Sequence, residues 1–98
     1  RIDHQYENDD RMDLLPRLFC KIPQKVAGFK VTGTSEFYSA TGIINGLKLR
    51  LEGDSRWLLI RSSETEPLLR FYAEGDSGSE PVAILKAGMK LLIEKRKS

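Results

Sequence analysis

Residues 47–74 read LKLRLEGDSRWLLIRSSETEPLLRFYAE and contain three apolar stretches separated by two polar turns. Leucine alternates with charged residues over 47–52, which is the period of a strand with one solvated face. The turn at 53–55 leads into the apolar run 57–60, which is typical of a central strand. These two segments are predicted to form a β-hairpin. Residues 68–74 alternate in the same way and indicate a further strand.

The C-terminal segment has a helical pattern. One apolar stripe at helical spacing is formed by Val82, Leu85, Met89 and Leu92. The start signal is either Ser79 as the capping residue or the capping box Ser77-x-x-Glu80. The basic residues near the C-terminus suit the negative end of a helix dipole. A closing helix is therefore predicted.

The N-terminal part has weaker patterns. Residues 1–7 are polar and are predicted to be the end of a linker. Residues 9–21 are predicted to form a helix, with a start nearer Asp13 if Pro16 excludes the first turn. A strand is predicted over Lys25–Thr32.

The middle of the chain is less regular. The residues Gly33-Thr34-Ser35 are predicted to form a turn. Residues 37–46 mix apolar and small side chains, which fits a loop or an irregular edge segment. No secondary structure is assigned to them.

The order of these elements sets the fold class. The links between strands are too short for parallel crossovers, so the sheet is predicted to be mainly antiparallel. Four strands with two helices on one face make an α+β two-layer sandwich. The other face of the sheet is left to solvent or to a partner.

Composition limits the classes of protein. The 98 residues fit one domain, assigned to 8–98, and 40% hydrophobic with 31% charged residues fits a folded, soluble chain. A net charge of +2 excludes a general nucleic-acid binder, and no run approaches the ~20 apolar residues that cross a membrane. The single cysteine, Cys20, is predicted to lie in the core of a protein from a reducing compartment, the cytoplasm.

The polar loop from Arg61 to Pro67 concentrates a guanidinium and hydroxyl groups between two apolar strands. Arg61 can bind a phosphate in a charged fork, Ser63 and Thr65 can add hydroxyl donors, and a tight turn can add backbone N–H groups. Glu64 and Glu66 would repel a phosphate at close range. The residues alone therefore leave two interpretations: an anion site, or a hairpin loop with a surface ion pair such as Arg61 with Glu66.

The order of these residues resembles a known family. RSSETEP at 61–67, followed by LLRFYAE, is similar to the R-x-S-(G/N)-T-E-P signature and following strand of the C-terminal domain of the α-D-phosphohexomutases, the phosphoglucomutase and phosphomannomutase family. The resemblance extends from about Leu47 through the closing helix and implies a TATA-box-binding-protein-like sandwich. It also implies that Arg61, Ser63 and Thr65 hold a substrate phosphate with their side chains and Glu64 with its amide.

Two positions depart from the family signature. Position 64 is Glu where the family usually has glycine or asparagine, which enter left-handed backbone easily. Position 62 is Ser where proline is frequent. The first departure is expected to change the charge and turn geometry of the loop.

The resemblance implies an isomerase that moves a phosphoryl group between the 1 and 6 positions of a hexose. The phosphoserine and the Mg²⁺-binding loop of the family belong to preceding domains of the same chain, which are the expected partners together with the phosphosugar. This domain is expected to hold no catalytic residue, cofactor or metal of its own and to be inactive in isolation. Glucose and mannose are not distinguished.

A second hypothesis is a non-catalytic interaction module whose open sheet face binds a protein or RNA. That face would need exposed aromatic residues, and the candidates are Trp57, Phe71 and Tyr72. Trp57 and Tyr72 are otherwise expected in the core or at its rim. Arg70 is expected on the solvated face of its strand, and it could also reach the phosphate.

Overall fold

The structure, a computed structural model, describes the backbone of residues 2–7, 15, 18–62 and 68–97, and the side chains at 15, 18–62 and 69–91. The first helix, α1, is described at position 15 and over residues 18–20. The other elements are β1 Ile2–Glu7, β2 Lys25–Val26, β3 Phe29–Tyr38, β4 Ile44–Leu51, β5 Trp57–Ser62, β6 Leu68–Glu74 and the closing helix α2 Glu80–Lys97.

The strands form one antiparallel sheet in the order β1-β6-β5-β4-β3-β2. One face packs against helices, with α2 against β6, β5 and β1 and with α1 contributing Leu15 and Leu18 to the core. The predicted α+β sandwich is confirmed, with six strands in place of four. None of the helices in the described part of the chain is long and apolar enough to cross a membrane.

Alternation along β4, β5 and β6 follows the prediction. The side chains that face the helices are buried: Leu47, Leu49, Leu51, Leu58, Ile60, Leu69, Phe71 and Ala73. The opposite side, here called the open face, carries Lys48, Arg50, Trp57, Leu59, Arg61, Arg70, Tyr72 and Glu74. Phe71 therefore belongs to the core, which removes it from the aromatic residues that an open-face RNA site would need.

The N-terminal residues form a strand. The prediction of a linker end over residues 1–7 is wrong for Ile2–Glu7, because β1 pairs with β6 along its whole length. Ile2, His4 and Tyr6 stand opposite the buried residues of β6, whereas Asp3, Gln5 and Glu7 stand opposite the intervening positions. The pairing register with β6, and not an apolar period, therefore identifies this polar stretch as a strand.

The region predicted as one strand and a turn has a different form. The segment Lys25–Thr32 divides into β2 and the start of β3, joined by Ala27 and Gly28 at positive φ. The predicted turn Gly33-Thr34-Ser35 lies inside β3, where the register with β4 shifts between Val31 and Gly33. The unassigned segment 37–46 contains the end of β3, the turn and the start of β4.

Gly33 allows Arg50 to cross the sheet. A Cβ at Gly33 would lie 2.7 Å from Nη2 of Arg50, which instead donates to the carbonyl of Thr34 at 3.1 Å while Nη1 donates to Oγ of Ser35 at 2.6 Å. The backbone groups of successive residues in a strand point to opposite sides, and Leu51 N–H donates toward β5, so the backbone groups of Arg50 point toward β3. Thr34 follows Gly33, the partner of Arg50, so the carbonyl of Thr34 points away from β4. The outer edge of β3 is therefore capped by an arginine.

Polar residues form the N-terminal cap of helix α2. Helix α2 begins at Glu80, which makes Ser79 the capping position, and the Ser79 carbonyl accepts from Ala83 N–H. Glu80 reaches back to the backbone N–H of Asp76 at 2.8 Å.

Cys20 is exposed, so its predicted core position is wrong. Leu15 and Leu18 share the buried side of α1, and position 20 lies about 140° around the helix from position 15.

Candidate functional site

The candidate site lies where β5 ends and β6 begins. In this hairpin Arg61 stands opposite Arg70, and Ser62 opposite Leu69. Arg61 is exposed on the open face. The other predicted phosphate contacts, Ser63, Glu64 and Thr65, lie in residues 63–67, outside the described residues. The structure thus tests the position of Arg61, and the other assignments stay predictions.

Arg61 and Arg70 form a cationic pair on the open face. They are direct cross-strand partners, so their side chains leave the sheet on the same side. Arg70 is half-buried, and its Nε is fully buried without a hydrogen-bond partner among the described residues. Like charges opposite one another in a sheet are destabilising, and a buried donor without a partner adds to that cost. This arrangement is electrostatically prepared for an anion.

Sequence reasoning assigned Arg70 to the solvated face and did not pair it with Arg61. The two arginines are equally distant from the midpoint of residues 63–68, which separate the paired residues Ser62 and Leu69, so the pairing becomes visible once the end of the loop is placed at residue 68. Residues equidistant from the centre of a hairpin loop stand opposite one another when the strands pair without a bulge. The β5–β6 register has no such irregularity.

A shallow recess of about 150 Å³ adjoins the arginine pair. It is lined by Trp57, Leu59, Arg61 and Tyr72, all on the open face. The indole Nε1 of Trp57 donates to Oε2 of Glu74 at 2.7 Å. The recess therefore combines two aromatic rings with a guanidinium, and the larger part of its exposed lining is polar. Trp57 and Tyr72 were expected in the core or at its rim, with the open-face interaction module as the alternative, and the pattern of the sequence did not place them beside Arg61.

The position of Trp57 is fixed from two directions. Besides the Glu74 hydrogen bond, Nζ of Lys48 lies 4.8 Å from the centroid of its ring. A cation over an indole face is an attractive contact, strongest for tryptophan among the aromatic residues. The floor of the recess is consequently ordered before any ligand arrives.

The opposite end of β5 carries a saturated ion-pair cluster. Nε of Arg56 donates to Oε1 of Glu80 at 2.7 Å, and Nη2 donates to Oε2 at 3.0 Å. Nη1 lies 3.4 Å from Oδ2 of Asp76, and the guanidinium stacks 4.1 Å from the centroid of the Phe29 ring. These carboxylates leave Arg56 no free charge for a ligand.

The same cluster shifts two pKa values. The hydrogen bond from Arg56, with the backbone N–H of Asp76 second, lowers the pKa of Glu80 to about 2. The hydrogen bond to Glu80 raises the pKa of Arg56. Both groups stay ionised over the whole physiological range.

Within the part of the chain that the structure describes, no group of three or more His, Cys, Asp or Glu side chains could hold a metal ion.

Fold and site together define an α+β domain with a cationic patch on the open face of an antiparallel sheet, next to a hydroxyl-rich loop. Residues 17–89 match the family described as phosphoglucomutase/phosphomannomutase, C-terminal domain. The match covers well over half of the chain, and the chain therefore belongs to this family as its C-terminal domain. The resemblance seen in the sequence is confirmed.

Two curated relatives carry the same printed name. Phosphoglucosamine mutase of Novosphingobium aromaticivorans is 40% identical over 73 residues, which cover 72% of this chain and 16% of that protein. Phosphoglucosamine mutase of Methanocaldococcus jannaschii is 31% identical over 96 residues, which cover 91% of this chain and 21% of that protein. The chain thus spans about a fifth of the length of these relatives.

Proposed function

We propose that this chain binds the phosphate of a phosphosugar for a phosphohexomutase that interconverts hexose 1-phosphate and hexose 6-phosphate. The names of the two relatives favour glucosamine phosphate over the glucose or mannose phosphates that the sequence resemblance left open. The observation that carries the proposal is the Arg61–Arg70 pair, with the unpartnered Nε of Arg70 among the described residues.

A phosphate monoester matches this pair in charge and in donors. It carries close to two negative charges and three acceptor oxygens, and two opposed guanidiniums can each donate to it. Binding would cancel the repulsion between Arg61 and Arg70 and satisfy the buried Nε. Ser63 and Thr65 hydroxyls and the Glu64 amide are proposed as donors to the remaining lone pairs, as the family signature implies.

The work of the domain is positioning. A clamp on the phosphate that does not react holds the sugar so that its other end faces the reacting groups, and remote binding energy is converted into orientation. The Mg²⁺ of the family belongs, by the resemblance, to preceding domains, and this chain is proposed to act on the phosphate alone. The isolated chain is proposed to bind phosphate and to catalyse nothing.

The test is Arg61→Ala in the intact protein, assayed with glucosamine 6-phosphate and glucosamine 1-phosphate. A charge-assisted hydrogen bond is worth roughly 1.5–3 kcal/mol, so KM should rise and kcat/KM should fall at least ~10-fold. Arg50→Ala is the matched control, because Arg50 is an arginine of the same face whose donors are already used by Ser35 and Thr34. Equal kinetics for both variants would remove Arg61 from the site.

NMR titration separates this function from the interaction module. Inorganic phosphate should shift the signals of Arg61, Ser62 and Arg70 with little effect elsewhere on the open face. Shifts across the whole open face with an oligonucleotide, and none with phosphate, would instead support the module.

A further inference from the structure

Phosphate binding does not account for the recess beside the arginine pair. Of its four lining residues, Trp57 and Tyr72 bring aromatic rings and Leu59 an aliphatic side chain, groups whose faces do not bind a phosphate. The fourth, Arg61, belongs to both the recess and the proposed phosphate site. Whatever occupies the recess is therefore adjacent to the bound phosphate.

We propose that this recess is the platform on which the pyranose ring of the phosphosugar lies. The inference rests on the proposed function and adds to it the residues that contact the sugar. The C–H groups on one face of a pyranose are slightly positive, and the faces of indole and phenol rings are negative, so the two surfaces attract. Concave sites with an apolar floor and a few placed polar groups are the usual form of small-ligand sites.

The spacing along β5 fits an ester of this kind. Leu59 and Arg61 are two residues apart on the same face, which separates their positions by roughly 7 Å along the strand. Tyr72 stands directly opposite Leu59, and Arg70 directly opposite Arg61, so the sheet presents an apolar row next to a cationic row. A phosphate on the cationic row places its attached ring over the apolar row.

The size of the recess fits a single ring. Its volume of about 150 Å³ equals the liquid volume of roughly five water molecules. The ring would lie beside the Trp57 indole, which Lys48 and Glu74 hold in place. An ordered floor loses little conformational entropy when the ligand binds, which favours a measurable contribution from this contact.

The experiment compares Tyr72→Ala with Tyr38→Ala in the intact protein. Tyr38 is an aromatic residue of the same sheet, 56% exposed and outside the recess. For each variant, dissociation constants are measured for inorganic phosphate and for glucosamine 6-phosphate. Tyr72→Ala should raise the dissociation constant of glucosamine 6-phosphate about 5-fold and leave that of inorganic phosphate unchanged. Tyr38→Ala should change neither.

A second measurement, the fluorescence of Trp57, can be made even if the Tyr72→Ala variant does not fold. Trp57 is the single tryptophan of this chain, and its signal is isolated by subtracting the spectrum of Trp57→Phe. Glucosamine 6-phosphate should change the Trp57 emission, whereas inorganic phosphate at saturation should leave it unaltered.

The outcomes separate the two proposals. If inorganic phosphate and the sugar phosphate both fail to bind, the proposed function is overturned, and the platform with it. If both bind but Tyr72→Ala weakens them equally and the Trp57 emission responds to neither, phosphate binding stands and the platform alone is overturned.

Discussion

Strand β5 has an arginine near each end, and the two have opposite environments. Arg56, just before the strand, is held by Glu80, Asp76 and the Phe29 ring. Arg61, near the other end, faces a second arginine across the hairpin. The same side chain type therefore serves the fold at one end and is proposed to serve a ligand at the other.

The charged residues at one end of β5 form ion pairs within the fold, whereas those at the other end are proposed to bind a ligand. At the Arg56 end, Asp76 also accepts from the backbone N–H groups of Asp54 and Ser55, so the β4–β5 turn and the start of α2 are joined by one network. At the Arg61 end two guanidiniums face each other across the hairpin, and like charges in such a cross-strand pair repel. Stability and binding should accordingly respond to mutations at opposite ends of the same strand.

Gly53 gives the largest expected effect on stability. Its φ is +115°, and a Cβ there would lie 2.4 Å from Nη1 of Arg56 and 2.6 Å from Oδ2 of Asp76. Gly53→Ala should therefore lower the free energy of unfolding by about 1–3 kcal/mol, measured by denaturant titration. Gly78→Ala is the control, because a Cβ at Gly78 would meet nothing within 4 Å. Equal losses in both variants, or a loss of phosphate affinity in Gly53→Ala, would contradict the division between the two ends.

The Glu80 carboxylate gives an intermediate effect that depends on pH. Folding lowers its pKa from 4.5 to about 2, so its contribution to stability is complete above about pH 4.5 and is lost as the pH falls toward 2. The difference in unfolding free energy between the wild type and Glu80→Gln should be largest near neutral pH and should vanish near pH 2. In an Arg56→Met background that pH dependence should be much reduced. A difference that stays constant between pH 5 and pH 2 would disprove the role of the ion pair.

Arg70→Met gives the smallest expected effect, and its sign is opposite. Removing one of two facing cations, together with a buried Nε that has no partner among the residues that the structure describes, should stabilise the unliganded domain by about 0.2–1 kcal/mol. Added inorganic phosphate should then raise the thermal midpoint of the variant less than that of the wild type. Lys86→Met, an exposed cation on α2, is the control and should show neither change. Destabilisation by Arg70→Met would mean that this guanidinium serves the fold as Arg56 does.

The sheet centre and the closing helix could be predicted from the sequence because their own periods are strong. Strand β4 alternates leucine with polar positions, and α2 has a capping residue and one apolar stripe. The sequence of β1 does not reveal the strand because residues 2–7 are mostly polar and only their pairing with β6 identifies them. Gly33 indicates a turn by its residue type, whereas in the structure its missing side chain makes room for Arg50.

The candidate site was predictable to a smaller extent. The Ser/Thr loop and Arg61 stand together in the sequence, so a local motif finds them. Arg70, Tyr72 and Trp57 join Arg61 through the lateral register of β5 and β6, and the pattern of a single strand does not report which neighbour lies beside it. Cys20 shows the same limit, since an apolar stretch of sequence does not say which side of a short helix is buried.

The reach of Arg50 to the outer carbonyl of Thr34 bears on how copies of this domain behave in concentrated solution. The exposed edge strand of a sheet has unpaired backbone N–H and C=O groups, with which another extended chain can pair and start fibril formation. Here a bulky cation stands on that border, and two molecules approaching rim to rim would bring like charges together. A cation at this position therefore works against edge-to-edge pairing of two copies.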